Sequence, residues 1–241
     1  GSRVGLTKVH ATDFGTTISD MVSINVSSAA GGASEILLVL VDSTIKTLEN
    51  GTVSTPVAYL TNGSGAILTT AGGDRIVVSS GSAPASGFLL TGQQHVFGVT
   101  SSAIVKMNPK TGQVDNLAAS AGTIPTSMAF GAIYRDRMFL SGQDNAIYAS
   151  KQGDYTNWDF GQYFENTGRA VVFQLSLANE VGAKVTALIP HKDDFLIAAS
   201  SRSLWVLRGD PATGSLQRIS ENIGIVSSRA WTKIEDSVCF L

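Results

Sequence analysis

Short apolar runs separated by small polar turns dominate the chain, and the clearest example lies near its C-terminal end. Phe195–Ile197 is an apolar run, Ser200–Ser203 is a polar turn, and Leu204–Leu207 is a second apolar run. Residues 208–214 then break the pattern with Gly, Asp and Pro. Two apolar runs joined by a tight polar turn are typical of a β-hairpin with both strands buried. We therefore predict such a hairpin here, with Trp205 packed between neighbouring sheets.

Copies of this hairpin recur at roughly 40–60 residues, which is close to the spacing of four-stranded propeller blades. Strands predicted between the copies, at 124–133 and 185–189, complete the blades. The sequence therefore predicts an all-β fold, a β-propeller of four-stranded blades, with a β-sandwich as the alternative because short strands alone separate the two poorly. The copies are the runs 36–41 with 45–48, 95–99 with 103–105, 137–140 with 146–148, and 238–241, which begins a blade that the given sequence does not complete.

Two segments depart from the repeat. Residues 1–32 form a weakly alternating N-terminal strand and loop segment ahead of the propeller repeats at 33–241. Residues 151–182 form a long insertion that is denser in aromatic residues than any other stretch. These aromatics either cover the apolar edge of a blade or contact a neighbouring subunit, because aromatic residues are enriched at interfaces. The candidate assembly interface consists of Tyr155, Trp158, Phe160, Tyr163 and Phe164.

The composition narrows the class of protein. Only 15% of the residues are charged, and 17 Lys and Arg stand against 19 Asp and Glu. Sparse charge with abundant Gly, Ser, Thr and Ala favours short strands over long surface helices, and no sequence-wide basic footprint for nucleic acid exists. No apolar run approaches the roughly 20 residues that a membrane helix needs. Cys239 is the only cysteine, so an intrachain disulfide is excluded, and its apolar neighbours predict a buried thiol.

Residues with catalytic or metal-binding potential are few and scattered. The three histidines, His10, His95 and His191, lack the paired spacing of a local metal site. Neither a nucleophile elbow nor a phosphate-binding loop occurs. We therefore predict a non-enzymatic protein without catalytic, cofactor-binding or metal-binding residues and without a cofactor. A hydrolase remains as a hypothesis that would use acids from several blades, such as Asp144, Asp193 and Asp194.

Several stretches of the second half resemble proteins of bacteriophage tails. Residues 137–150 followed by 153–158 are similar to a recurrent phrase of these proteins, in which a strand is followed by Ile-Tyr-x-Ser and Gly-Asp-x-x-x-Trp. Residues 188–197, 203–211 and 222–226 continue the resemblance in the same order. The order resembles the β-propeller proteins that form the nozzle or hub of short phage tails.

The resemblance implies a virion structural protein that assembles in the bacterial host cytoplasm. Its partners would be copies of itself, commonly six in a ring, and other phage tail proteins, while DNA passes through the ring during ejection. A chain with a net charge near zero suits the passage of DNA without specific binding, because each DNA phosphate that a protein neutralises raises its salt-dependent affinity for DNA. The alternative function is a β-propeller binding module for protein or glycan ligands.

Overall fold

The chain is all-β, with no helix among the residues that the structure describes. In the computed structural model these are residues 18–27, 33–41, 44–49, 52–54, 57–59, 77–80, 88–99, 103–109, 113–142, 145–161, 166–175 and 184–241. None of these segments forms a helix of the length and apolarity needed to cross a membrane. The strands are β1 (Ile18–Ser27), β2 (Ala33–Val41), β3 (Thr44–Glu49), β4 (Thr52–Ser54), β5 (Val57–Tyr59), β6 (Val77–Ser80), β7 (Phe88–Gly92), β8 (His95–Val99), β9 (Ile104–Met107), β10 (Val114–Asn116), β11 (Ala121–Gly122), β12 (Phe130–Tyr134), β13 (Arg137–Ser141), β14 (Ala146–Ala149), β15 (Asn157–Trp158), β16 (Val171–Gln174), β17 (Val185–His191), β18 (Phe195–Ser200), β19 (Leu204–Arg208), β20 (Leu216–Ser220), β21 (Trp231–Ile234) and β22 (Ser237–Phe240).

The described strands form four sheets of four strands, each a meander in chain order. These sheets are β1-β2-β3-β4, β7-β8-β9-β10, β12-β13-β14-β16 and β17-β18-β19-β20. Three two-stranded sheets accompany them: β5-β6, β21-β22 and the parallel pair β11-β15. A four-stranded meander is the blade unit of a β-propeller, whereas an immunoglobulin-type sandwich connects two sheets by Greek keys. The predicted all-β fold with four-stranded blades is confirmed.

The chain divides into two compact units, residues 1–96 with 106–115 and residues 97–105 with 116–241. In the first unit β1 pairs with β2 in the same sheet as β3 and β4. This sheet therefore extends across the boundary that we predicted between the segments 1–32 and 33–241.

The core of the first unit joins β2 to those residues of β7, β8 and β9 that belong to this unit. Leu38 of β2 packs with Leu89, Val96 and Met107, all of them buried. β1 lies against β7, and Oδ2 of Asp20 accepts a hydrogen bond from the Leu89 backbone nitrogen at 2.6 Å. The first strands of successive sheets thus meet, as the first strands of neighbouring propeller blades do.

The same relation recurs in the second unit, where β12 lies against β17. We call the turn after the first strand of a sheet the first-hairpin tip. The tips that follow β12 and β17 each contact the tip of the next sheet. Nε of Arg135 donates a hydrogen bond to the backbone oxygen of Asp193 at 2.9 Å. Nζ of Lys192 then binds Oδ1 of Asp236, and Nε2 of His191 lies 2.9 Å from the backbone oxygen of Asp236.

Positive backbone φ angles mark these tips. Arg135 and Asp136 have φ values of 47° and 51°, and Lys192 and Glu235 have values of 50° and 53°. The tips at 135–136 and 235–236 are two-residue turns, which need positive φ to match the right-handed twist of the flanking strands. The tip that contains Lys192 is a three-residue turn, 192–194. The tips therefore repeat at the predicted spacing, and the charged tip predicted at 191–194 is confirmed.

The hairpin predicted at 195–207 is also confirmed. β18 and β19 pair antiparallel with Leu196 opposite Leu207, and both residues are buried. Trp205 is 3% exposed, and its Nε1 donates a hydrogen bond to Oγ of Ser203 at 2.9 Å. The predicted burial of this tryptophan follows from the uninterrupted apolar run of β19, which leaves neither face of the strand to solvent.

The predicted buried thiol of Cys239 is wrong, because this side chain is exposed. Its neighbours Val238 and Phe240, together with Trp231 of β21, pack against the core of the preceding sheet. The strand β22 is covered only in part, and on such a strand the apolar residues that flank a position do not determine its own burial.

The insertion predicted at 151–182 is shorter than its sequence suggests. Val171–Gln174 form β16, which pairs with β14 as the fourth strand of its sheet. The departure from the repeat therefore lies between the third and fourth strands, after Ala149 and before Val171. The blade that carries the aromatic segment is complete in spite of the insertion.

Candidate interaction site

The aromatic segment begins with a turn that Asp154 organises. Oδ1 of Asp154 accepts hydrogen bonds from the backbone nitrogen of Thr156 at 2.9 Å and from its Oγ1 at 2.6 Å. Such local bonds are the reason that Asp and Thr favour turns. Although burial raises the pKa of Asp154, hydrogen bonds from Thr156 and Ser120 and the charge of Lys151 lower it overall. The turn is therefore held by an ionised carboxylate.

Tyr155 and Trp158 point into the core of their own unit. They are 3% and 1% exposed, respectively. The Tyr155 hydroxyl donates to Oδ1 of Asp136 at 3.1 Å, and its ring meets that of Phe97 edge-on at 5.5 Å. Nε1 of Trp158 donates to the Tyr155 backbone oxygen at 3.0 Å. Burial, followed by the Asp136 charge, raises the pKa of Tyr155 well above its ordinary value. Both side chains stabilise their own chain and are not free to anchor a partner.

Among the aromatic residues of this segment that the structure describes, Phe160 is the one that reaches the surface, and its side chain is 38% exposed. Its ring contacts Tyr148 of β14 at a centroid distance of 5.9 Å. Across the ladder, Val172 of β16 stands opposite Tyr148 and is 45% exposed. These three residues form an apolar surface that we call the outer patch. Tyr163 and Phe164, which complete the predicted interface, lie outside the described residues, so the interface itself stays a prediction.

A cleft with a volume of about 650 Å³ opens beside the outer patch. One wall is the loop 122–127, and the other is formed by the aromatic segment with Tyr148. At Gly122, which has a φ of +70°, an added Cβ would lie 2.2 Å from the Trp158 backbone oxygen. Only glycine lets the two walls approach this closely. We call this space the aromatic cleft; it is lined by Gly122, Thr123, Ile124, Pro125, Thr126, Ser127, Tyr148, Trp158, Asp159 and Phe160.

A buried arginine, for which no functional role was predicted, binds the backbone at both ends of the insertion. Arg137 opens β13 and is fully buried. Its Nη1 donates to the backbone oxygens of Ser150, Gly168 and Arg169 at 2.9, 3.2 and 2.5 Å, and its Nη2 donates to Thr167 at 2.7 Å. The guanidinium fork suits this task because it offers five donors in one plane.

An acid from the next sheet accompanies this arginine. Oδ1 of Asp210 lies 3.9 Å from Nη2 of Arg137, in the exit turn that follows β19. The same turn accepts a hydrogen bond from Nη2 of Arg169 at the Ala212 backbone oxygen, at 3.0 Å. Burial lowers the pKa of Arg137, while the Asp210 charge acts in the opposite direction. A buried charge is tolerated only when it is paired and hydrogen-bonded, and here one arginine joins an insertion to a neighbouring blade.

Of the other residues considered for chemistry, His10 lies outside the described residues, and Asp193 and His95 occupy separate hairpin tips. Asp193 lies at the tip next to Tyr134 and Arg135, Asp144 is outside the described residues, and Nδ1 of His95 lies 2.7 Å from the Gln93 backbone oxygen. Among the described residues no group of three or more His, Cys, Asp or Glu side chains is placed to hold a metal ion.

Comparisons with known proteins assign no family. No family model matches the chain, and no curated protein matches its sequence. The computationally designed Ika4 protein is 11% identical over 63% of this chain and 81% of its own length, with a TM-score of 0.39. The extracellular domain of a putative one-component system from B. thetaiotaomicron is 13% identical over 86% of this chain and 23% of its own length, with a TM-score of 0.47. The designed Ika8 protein is 14% identical over 84% of this chain and 64% of its own length, with a TM-score of 0.43. Similarity at this level carries no functional assignment.

Proposed function

We propose that the chain is a non-enzymatic structural protein of a phage virion, a tail nozzle or hub component. In this proposal copies of the chain assemble in the bacterial host cytoplasm as a ring, commonly of six, around the DNA ejection channel. The ring then binds other tail proteins. The sequence supports the proposal through the ordered phrases that resemble phage tail proteins between residues 137 and 226.

The residues of these phrases serve the architecture of the fold, which supports a structural role. Arg137, from the first phrase, holds the backbone of the insertion, and Trp158, which ends the phrase, is buried beneath it. Asp210, from a later phrase, is the acid that accompanies Arg137. The residues of these motifs thus make the contacts that join neighbouring blades. This is what a protein that acts through its shape requires.

The observation that carries assembly is the outer patch. Val172 is exposed on β16, the fourth strand of a finished blade, and Phe160 is exposed in the turn that follows β15, although the blade does not need either side chain for its own core. Interfaces draw most of their free energy from a few anchors, often aromatic, each worth roughly 2 kcal/mol or more. We infer that a neighbouring subunit covers this patch in the ring.

Replacement of Val172 by Glu tests the assembly surface. The purified wild-type chain should sediment as a closed oligomer in analytical ultracentrifugation, and Val172→Glu should sediment as a monomer because burial of a lone carboxylate is strongly unfavourable. The monomer should keep its fold, since the side chain is 45% exposed in the isolated chain, although its melting temperature should fall below that of the wild-type oligomer because assembly stabilises the folded state. Ile219→Glu is the matched control, because Ile219 is 57% exposed on β20, the fourth strand of the next sheet.

Two results would contradict the proposal. One is a wild-type chain that remains monomeric at concentrations well above micromolar, and the other is an equal loss of assembly in both variants. A separate measurement addresses location: an antibody against the chain should label the tails of phage particles in electron micrographs. Labelling of heads alone would contradict a place in the tail.

Passage of DNA without specific binding is a further part of this proposal. Because 17 basic residues are offset by 19 acidic ones, we expect the isolated chain to bind a short DNA duplex no more tightly than about micromolar at physiological salt. Fluorescence anisotropy of a labelled duplex measures this. Binding in the nanomolar range that survives added salt would contradict passive passage.

The alternative function, a propeller module that binds protein or glycan ligands, is favoured by one observation. The aromatic cleft has the volume of a small-molecule site, which is typically about 300–1,000 Å³.

A further inference from the structure

The rings beside the aromatic cleft are packed against each other and form a platform. The centroid of the Phe160 ring lies 5.9 Å from that of Tyr148 and 6.5 Å from that of Trp158. Rings at this separation are in contact, so no cation fits between them as it does in an aromatic cage. The indole Nε1 is also occupied, since it donates to the Tyr155 backbone oxygen. Because Trp158 is only 1% exposed, the apolar face on which a ligand can stack is that of Phe160, supported by Tyr148 and Trp158.

The opposite wall of the cleft is rich in hydroxyl groups. Thr123, Thr126 and Ser127 are exposed, and no hydrogen bond joins their hydroxyls to the described part of the chain. A hydroxyl can donate one hydrogen bond and accept two. Three such groups in one wall match a ligand that itself carries several hydroxyls.

The charge of the cleft restricts the ligand further. Asp159 contributes a carboxylate, whose Oδ1 accepts a hydrogen bond from the Gly161 nitrogen at 3.0 Å. None of the residues that line the cleft is Lys, Arg or His. A carboxylate accepts strong hydrogen bonds from neutral hydroxyls, whereas it would repel a carboxylate, sulfate or phosphate of an acidic ligand.

From this combination we propose that the aromatic cleft binds a neutral saccharide. One face of a sugar ring stacks on the Phe160 platform, Asp159 accepts hydrogen bonds from adjacent sugar hydroxyls, and the loop hydroxyls of Thr123 and Thr126 bind the opposite edge. The close approach of Gly122 to the Trp158 backbone fixes the two walls before the ligand arrives. This binding activity goes beyond the proposed role in assembly. Because Phe160 and Tyr148 belong to both the outer patch and the cleft, the saccharide binds the chain while no neighbouring subunit covers the outer patch.

A glycan array followed by calorimetry tests the inference on the full chain. The array should carry neutral oligosaccharides, sialylated and sulfated glycans, and an oligolysine peptide as a separate probe. We expect retention of neutral glycans, and the strongest of them is then titrated by calorimetry. Asp159→Ala should weaken its affinity tenfold or more, because hydrogen bonds to a charged group contribute about 1.5–3 kcal/mol. Thr126→Val, which removes one neutral hydrogen bond, should weaken it about threefold.

The control variant is Val172→Ala, which alters the outer patch outside the cleft and should leave the affinity unchanged. Circular dichroism melts of all variants confirm that the fold is retained. Absence of neutral glycan binding, a preference for acidic glycans, or binding of oligolysine alone would overturn the inference, as would equal losses in Val172→Ala and Asp159→Ala. Because Val172→Glu tests assembly and Asp159→Ala tests the cleft, failure of one proposal is distinguishable from failure of the other.

Discussion

Replacement of Arg137 is the perturbation for which the structure gives the most definite expectation. The fully buried guanidinium donates to four backbone oxygens, two of them on Gly168 and Arg169. In Arg137→Met the side chain keeps much of its volume while all of these bonds are lost. The buried oxygens of Ser150 and Arg169 lose this donor, whereas the Gly168 oxygen keeps the Gln152 amide; a buried polar group left without a partner costs about 1–3 kcal/mol.

The total should be smaller than the sum of these bonds. The loop 166–170 is partly accessible, so water can replace some of the lost donors. The variant also no longer has to bury a charged group, and the absence of this desolvation penalty offsets part of the destabilisation. Removal of one member of a buried ionic group typically destabilises by about 3–5 kcal/mol, and we expect Arg137→Met to fall in this range. For a unit of this size each kcal/mol corresponds to roughly 2–4 °C, which gives a decrease in Tm of about 6–20 °C. Arg137→Lys should lie between wild type and Arg137→Met.

Urea unfolding followed by tryptophan fluorescence measures the change in free energy. Hydrogen exchange adds a local measurement, because the Gln152 amide donates to the Gly168 oxygen and should exchange faster once the loop is released. Arg202→Met, at an exposed position in the turn between β18 and β19, is the matched control and should change stability by less than about 0.5 kcal/mol. The reasoning is refuted if Arg137→Met loses less than about 1 kcal/mol, a value expected of a surface position.

Three further predictions concern other parts of the fold. Trp205→Ala should lower the free energy of unfolding by about 3–5 kcal/mol in a urea titration, because this side chain is 3% exposed; an unchanged midpoint would show that its packing is unimportant. Gly122→Ala should lower the Tm substantially, because the added Cβ meets a backbone oxygen at 2.2 Å, whereas Gly209→Ala, with a φ of +78° and open space around it, carries only conformational strain of about 1 kcal/mol; equal effects would contradict the steric argument. Since the pKa of Tyr155 is raised in the folded state, the folded chain retains a proton that the unfolded chain releases near pH 10, so stability should fall as pH rises through and above this value. Tyr155→Phe should flatten this dependence in urea titrations between pH 9 and 11, and an unaltered slope would exclude Tyr155 as its source.

Hairpins were the part of the fold that the sequence predicted best. Residues 195–197 and 204–207 are apolar without interruption, and such runs have few alternatives to a strand buried on both faces. The tip at 191–194 was predictable for the complementary reason, because consecutive charged residues remain in solvent. Cys239 shows where this reasoning fails, since its apolar neighbours did not decide which face of β22 the thiol would occupy.

The candidate site was predictable only as a segment. The sequence showed that aromatic residues are concentrated after residue 151, but it did not show that Trp158 is buried and Phe160 exposed. Trp158 lies on β15, which pairs in parallel with β11, a strand distant in the chain. Nothing local to 151–161 encodes that pairing. Arg137 was missed for a related reason: three of its four acceptors, on residues 167–169, lie 30–32 residues later in a loop without a recognisable pattern. An arginine at the start of an otherwise apolar run, with an Asp in a recurring exit turn, was the only signal available.

The contacts between first-hairpin tips have a consequence for how such a chain can change its length. In the second unit each contact runs forward, from Arg135 to Asp193 and from Lys192 to Asp236. Each tip binds the tip of the blade that follows it in the chain. A whole blade can therefore be duplicated or deleted in evolution, and the new neighbours will still offer each other a donor and an acceptor. The tip contacts therefore align consecutive blades but do not limit their number. The number of consecutive blades must instead depend on the packing of side chains between neighbouring sheets.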